Sequence, residues 1–99
     1  MTRGTTPTHI IETDISLADV EALYITYSQR DKVIIEKSLE DVEINGHLIN
    51  IKLTQEDTLS FNDADEVLIQ IRARLADGTA VASNLMRADV KKILKDGEI

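Results

Sequence analysis

The chain has no cysteine and no tryptophan, one proline, four glycines and three aromatic side chains, Tyr24, Tyr27 and Phe61. Without cysteine there are no disulfides, no thiolate nucleophile and no cysteine-rich zinc site, which fits a reducing compartment. Three aromatics are too few for a platform that stacks single-stranded nucleic acid. Basic residues are also scarce: 11 Lys and Arg face 18 Asp and Glu, leaving a net charge of −7. Such a surface repels phosphate, so neither nucleic acid nor an anionic membrane is expected as a partner. No apolar run approaches membrane-spanning length, and Met1 to Pro7 offers no apolar stretch to act as a secretion signal. A soluble protein made in the cytoplasm is expected.

Catalytic patterns are missing as well. Ser16, Ser28, Ser38, Ser60 and Ser83 lie outside any Gly-x-Ser-x-Gly elbow. The scattered glycines form no phosphate-cradling loop. No enzyme activity and no cofactor are expected.

What the chain does have is alternation. Its 99 residues, 42% hydrophobic and 29% charged, are enough for one small globular domain. From Glu66 to Leu75, Val67, Ile69, Ile71, Ala73 and Leu75 fall on one side of an extended chain, with Leu68, Gln70, Arg72 and Arg74 on the other. That period of two marks a strand with one face in a core. Asp77-Gly78 follows, a favoured two-residue turn of type I′, and Thr79 to Asn84 returns as its partner. Ala22 to Gln29 and Lys32 to Ser38 read as strands joined by a turn at Gln29-Arg30-Asp31, with Val33 and Ile35 sharing a face. Val42 to Ile44 and His47 to Leu53 form a second hairpin about Asn45-Gly46. His9 to Thr13 is a short strand at an edge. Asp14 to Glu21 is a loop or single helical turn that Ser16 caps, with Ile15 and Leu17 inward. Thr54, followed three residues later by Asp57, caps a helical turn from which Leu59 and Phe61 plug the core. Leu85 to Leu94 is preferred as an edge strand over a short helix.

About seven short strands with frequent turn signals predict an all-β fold, a single antiparallel β-sandwich of Ig-like or jelly-roll-like type with one short helical turn. Residues 1–8 form an N-terminal arm, 9–95 the sandwich domain and 96–99 a loose tail.

Several clusters invite a chemical reading and receive a structural one. Asp41-x-Glu43-x-Asn45-Gly46 opens like a calcium loop, but its twelfth position is Lys52, where a carboxylate belongs, and strands flank it. It reads as a hairpin. Asp63, Asp65 and Glu66 read as a solvated loop that discourages edge pairing. His9 and His47 are too few for zinc and read as surface or strand-end residues. Arg72 and Arg74, on one face of a strand, could hold an anion or an acidic partner; a cross-strand ion pair is the plainer use.

Three stretches carry a resemblance: Arg3-Gly4-Thr5-Thr6-Pro7-Thr8, Leu53 to Leu59 (LTQEDTL) and Asp77 to Asn84 (DGTAVASN). Together they resemble a family of small proteins of about this length encoded in phages and prophages of Gram-positive bacteria. The layout is also similar to the N-terminal β-sandwich domain of phage baseplate upper proteins. The resemblance implies synthesis in the bacterial cytoplasm and a non-catalytic structural or assembly role, as a tail or baseplate component in the virion. Its partners would be other phage structural proteins, or copies of itself. No catalytic residues follow from it. The partner-binding residues expected are Arg3, Gly4, Thr5, Thr6, Pro7 and Thr8 in the arm, with Arg72 and Arg74. Two rival functions stand beside this one: a small-ligand or carbohydrate-binding module, and an acidic regulator that mimics nucleic acid.

Overall fold

The computed structural model describes all 99 residues. Strands run Thr8–Glu12 (β1), Val20–Gln29 (β2), Lys32–Ser38 (β3), Glu43–Asn45 (β4), Leu48–Lys52 (β5), Val67–Leu75 (β6), Ala80–Ala82 (β7) and Met86–Ala88 (β8), with one short helix, Gln55–Leu59 (α1). A 3₁₀ turn spans Leu39–Asp41. One antiparallel sheet has the order β1-β5-β4, and the other the order β3-β2-β6-β7, with β8 also pairing on β6. The expected antiparallel all-β sandwich is therefore what forms. It has eight strands: β7 lies within Thr79 to Asn84, the expected edge strand in Leu85 to Leu94 is only β8, and both are laid along β6.

The core follows from the alternation. Leu23, Ile25 and Tyr27 of β2 lie across from Ala73, Ile71 and Ile69 of β6, and all six are buried. Ile49, Ile51 and Leu53 close the layer from the opposite sheet, and Phe61 fills the end beside Tyr27. Burying an Ile or Leu side chain contributes about 1.5–3 kcal/mol, so this pattern carries most of the stabilisation. From the helix, however, it is Thr58 that is fully buried, while Leu59 is only half-buried. The Thr58 hydroxyl donates to the carbonyl of Thr5 at 2.8 Å, which makes a polar residue acceptable there.

Local details depart from the alternation where the backbone does. A bulge in the β2–β3 ladder sets Tyr27 across from Ile35 but Ser28 across from Val33. The extra residue, Ile34, reverses the face downstream of it, so Val33 is exposed and Ile35 buried. Ile15, expected inward, lies at the surface, and only Leu17 reaches the core.

The turns also differ from expectation. Leu75 N–H bonds the Thr79 carbonyl, and Gly78 N–H bonds Leu75, so the central loop holds three residues. Only Gly78, at φ +89°, is left-handed, and Asp77 accepts from Thr79 N–H at 2.8 Å. This is a type I turn closed by a glycine bulge rather than type I′, because the aspartate side chain holds its own backbone right-handed. Asn45-Gly46 is likewise shifted: Asn45 pairs with Leu48, and Gly46, at φ +63°, leads a Gly46-His47 turn of type II′ pattern. The turn with two positive φ angles is Arg30-Asp31, at +51° and +62°.

Candidate functional site

A two-sheet sandwich has four edges, and unpaired edges are where a second chain can add a strand. Three of these are blunted. β3 carries the bulge, and its Lys37 is tied to Asp57 at 2.9 Å. β4 is three residues long and acidic at Glu43. β7 and β8 are three residues each, broken where the Ser83 hydroxyl takes the N–H of Ile71 at 3.0 Å.

The fourth edge is β1, placed at an edge as its sequence suggested. It pairs only with β5, in an unbroken five-residue register from Thr8↔Lys52 to Glu12↔Leu48. Bonds from Leu53 N–H to Pro7 C=O and from Thr13 N–H to His47 C=O bracket that ladder. Antiparallel pairs alternate, so the odd-numbered residues face β5. The main-chain groups of Thr8, Ile10 and Glu12 therefore point away from the sheet and make no hydrogen bond. Ile10, 66% exposed, sits at the middle of this edge.

Beside β1 a groove of about 380 Å³ separates it from β6, β7 and β8. Ile11, Leu17, Ile71, Val81 and Met86 supply its apolar walls. Glu12 and Asp14 are its only charged lining residues, and neither is in an ion pair. On the inner side of β1, His9 Nδ1 is 2.8 Å from the Tyr27 hydroxyl. Burial, and then the N-terminal ammonium, hold His9 below its ordinary pKa. Burial, and then the Asp57 carboxylate, push the Tyr27 phenol up. Both rings are thus held neutral and hydrogen-bonded to each other, and the edge strand is fastened to the other sheet.

The expected partner residues fall in two separate places. The arm, expected to meet a partner, is laid against the body of its own domain. Met1 ammonium reaches the Asp89 carbonyl, and Thr2 bridges Lys91. The Arg3 guanidinium donates to the carbonyls of Phe61 at 2.8 Å and Leu59 at 3.1 Å. Gly4 lies at φ +74°, where a Cβ would stand 3.1 Å from Ile93. Thr5 takes the Thr58 hydroxyl, Pro7 takes Leu53 N–H, and only Thr5, Thr6 and Thr8 are exposed. The arm is ordered because the half-buried Arg3 side chain reaches two carbonyls that have no other partner. The segment expected as a loose tail also folds back: Ile99 exchanges two hydrogen bonds with the Gln55 amide.

Arg72 and Arg74 stand exposed on the outer face of β6. Arg74 approaches Glu21 at 3.9 Å, the cross-strand ion pair, and Arg72 lies across from Tyr24 with no acidic partner. No hydrogen bond or ion pair joins these arginines to the arm. Among the acidic clusters, Asp41 caps the 3₁₀ turn through Ser38 N–H at 2.9 Å, which lowers its pKa. Glu66 pairs with Arg87 at 2.9 Å, and Asp65 approaches Arg30 at 3.8 Å. His47 Nδ1 contacts the Thr13 carbonyl at 3.2 Å.

The groove and the open register of β1 were not read from the sequence. The signal present was Ile10-Ile11: two adjacent isoleucines in a strand cannot both face the core. Comparison with models of protein families, with curated proteins and with solved structures finds no match to this chain.

Proposed function

We propose that this protein is a non-catalytic structural or assembly component that works by protein–protein contact, docking its partner on the edge of β1. The observation that carries this is the row of unpaired main-chain groups at Thr8, Ile10 and Glu12, on the longest sheet edge that keeps an unbroken register. An edge of this kind supplies affinity through main-chain bonds and specificity through the side chains on either side. Given the resemblance of the arm, of Leu53 to Leu59 and of Asp77 to Asn84 to small phage proteins, the setting proposed is a phage tail or baseplate, with other phage structural proteins as partners.

The test is co-sedimentation of the tagged chain with particles from the strain that carries its gene, compared with Ile10→Pro. Proline at this outward N–H removes a donor from the free edge while leaving the bonds to β5. The wild-type chain is expected with the particles and the variant in the soluble fraction. A wild-type chain that stays soluble, or a variant that sediments equally, contradicts the proposal.

One observation favours the small-ligand or carbohydrate reading. Tyr24, 48% exposed, lies with Arg72, Arg74 and three alanines around a depression of about 220 Å³ on the outer face. A glycan array with the wild-type chain and Tyr24→Ala decides it: hits that disappear in the variant support a sugar site, and an array without hits removes it.

A further inference from the structure

The groove beside β1 says what kind of strand the edge would take. We propose that it is a slot for an extended segment of a partner protein with apolar residues at every second position and lysine or arginine between them. This rests on β1 being the docking edge and adds the chemistry of the occupant.

Three N–H and three C=O groups, those of Thr8, Ile10 and Glu12, are free to continue the sheet. A strand hydrogen-bonded there has its residues opposite His9 and Ile11 on the inner side, because directly paired residues share a face. On that side lie Ile11, Leu17, Val81 and Met86, an apolar wall formed because β6, β7 and β8 flank the groove that β1 leaves open. Apolar side chains on the incoming strand would displace water from it. The residues between them lie on the outer side, next to Ile10 and Glu12. There the charged rim, Glu12 and Asp14, is entirely acidic and unpaired, in a chain of net charge −7. A cation on that face gains a partner, whereas a carboxylate meets repulsion on an already acidic surface.

The slot also accounts for an edge left unguarded. Natural edges avoid self-association through charge, bulges or interruption. β1 has none of these at its centre. Antiparallel self-pairing about Ile10 would set Glu12 across from Thr8 of the other copy and leave the acidic rim without a cation, whereas a basic strand supplies one.

Binding of labelled synthetic peptides to the intact protein tests this. Lys-Val-Lys-Val-Lys-Val-Lys has the required period and charge. Glu-Val-Glu-Val-Glu-Val-Glu has the period with the wrong charge, and Lys-Lys-Val-Val-Val-Lys-Lys has the composition with the wrong period. The first is expected to bind at least about tenfold more tightly than either control. It should shift the amide resonances of Thr8 to Glu12 and of Ala80 to Met86 in the wild-type protein, a readout that needs no variant. Ile10→Pro and Val81→Asp, each checked for a retained thermal transition, should both weaken it by about tenfold. Equal binding of the two lysine peptides would show attraction by charge alone and overturn the slot, as would no saturable binding up to about 1 mM. Loss in Ile10→Pro with none in Val81→Asp overturns the groove and leaves the docking edge standing. The reverse pattern overturns the edge itself.

Discussion

The Tyr27 hydroxyl, on a central strand of one sheet, is hydrogen-bonded at 2.8 Å to Nδ1 of His9, on the edge strand of the other. The contact holds β1 against the sandwich while leaving its outer side free. It also makes the fold sensitive to mild acid. Because folding lowers the pKa of His9, the unfolded chain takes up a proton first as pH falls. The stability that depends on neutral His9 is complete above its ordinary value of 6.5 and is lost as pH falls below it toward the folded value. Urea midpoints should be level above neutrality and decline as pH falls below about 6.5, and His9→Gln should flatten that decline. Tyr27→Phe should cost about 1 kcal/mol at neutral pH, the worth of one ordinary hydrogen bond.

A second, lower window belongs to Asp57. Burial pushes its carboxyl up, but the Thr54 N–H and the Lys37 ammonium outweigh this and hold it below the usual range. A depressed folded pKa means stability present above the unfolded value of 3.8 and lost as pH falls through the folded one. Lys37→Met should remove part of this acid-limb loss, measured by circular dichroism between pH 5 and about 2, without moving the window set by His9.

Gln29 is 3% exposed and makes three hydrogen bonds. Its amide nitrogen donates to the carbonyls of Asn62 and Asp65, and its oxygen accepts from Asn62 N–H. It thereby ties the end of β2 to the loop before β6. Gln29→Leu leaves those loop groups unsatisfied beside the core and should cost about 2–3 kcal/mol in chemical denaturation, despite the gain in hydrophobicity.

How much of this was legible in the sequence depends on which interactions decide each feature. Alternation at Leu23-Ile25-Tyr27 and Val67-Ile69-Ile71 set the central pair, because period-two burial leaves no other face for these side chains. The bulge at Ile34 was not legible, since nothing in Lys32-Val33-Ile34-Ile35 marks which residue is extra. The turn types were misjudged because an Asp-Gly or Asn-Gly pair is compatible with several geometries. Loop length, fixed by the pairing of Leu75 with Thr79 and of Asn45 with Leu48, chooses among them. The attachment of the arm was not legible, because the groups Arg3 reaches are carbonyls of Leu59 and Phe61, far away in sequence. The groove depends on how two sheets are offset, which no single strand encodes.

The arm should prove structural. Arg3→Ala removes a charged donor from two carbonyls and should cost about 2 kcal/mol. Deletion of residues 1–6 should lower the thermal midpoint further. An unchanged midpoint in both would show that the contacts of Arg3 contribute nothing.

At the β2–β3 turn, Arg30 and Asp31 hold left-handed backbone that favours glycine or asparagine. A non-glycine residue there costs about 1–2 kcal/mol, part of which glycine would give back in chain entropy. Asp31→Gly should stabilise the protein by about 0.5–1 kcal/mol in urea unfolding. The opposite sign would show that the Asp31 side chain has a role beyond turning the chain.

The most direct measurement is amide hydrogen exchange along β1, made on the isolated protein and on the partner complex recovered with the tagged chain from its own host. In isolation, the outward amides of Ile10 and Glu12 should exchange far faster than the inward ones of His9 and Ile11. In the complex, the outward pair should slow by at least about tenfold, with β3 unchanged, because new main-chain bonds close the edge. Outward amides that stay as fast in the complex as in isolation, with protection gained around Arg72 and Arg74 or in the arm instead, would contradict docking on β1.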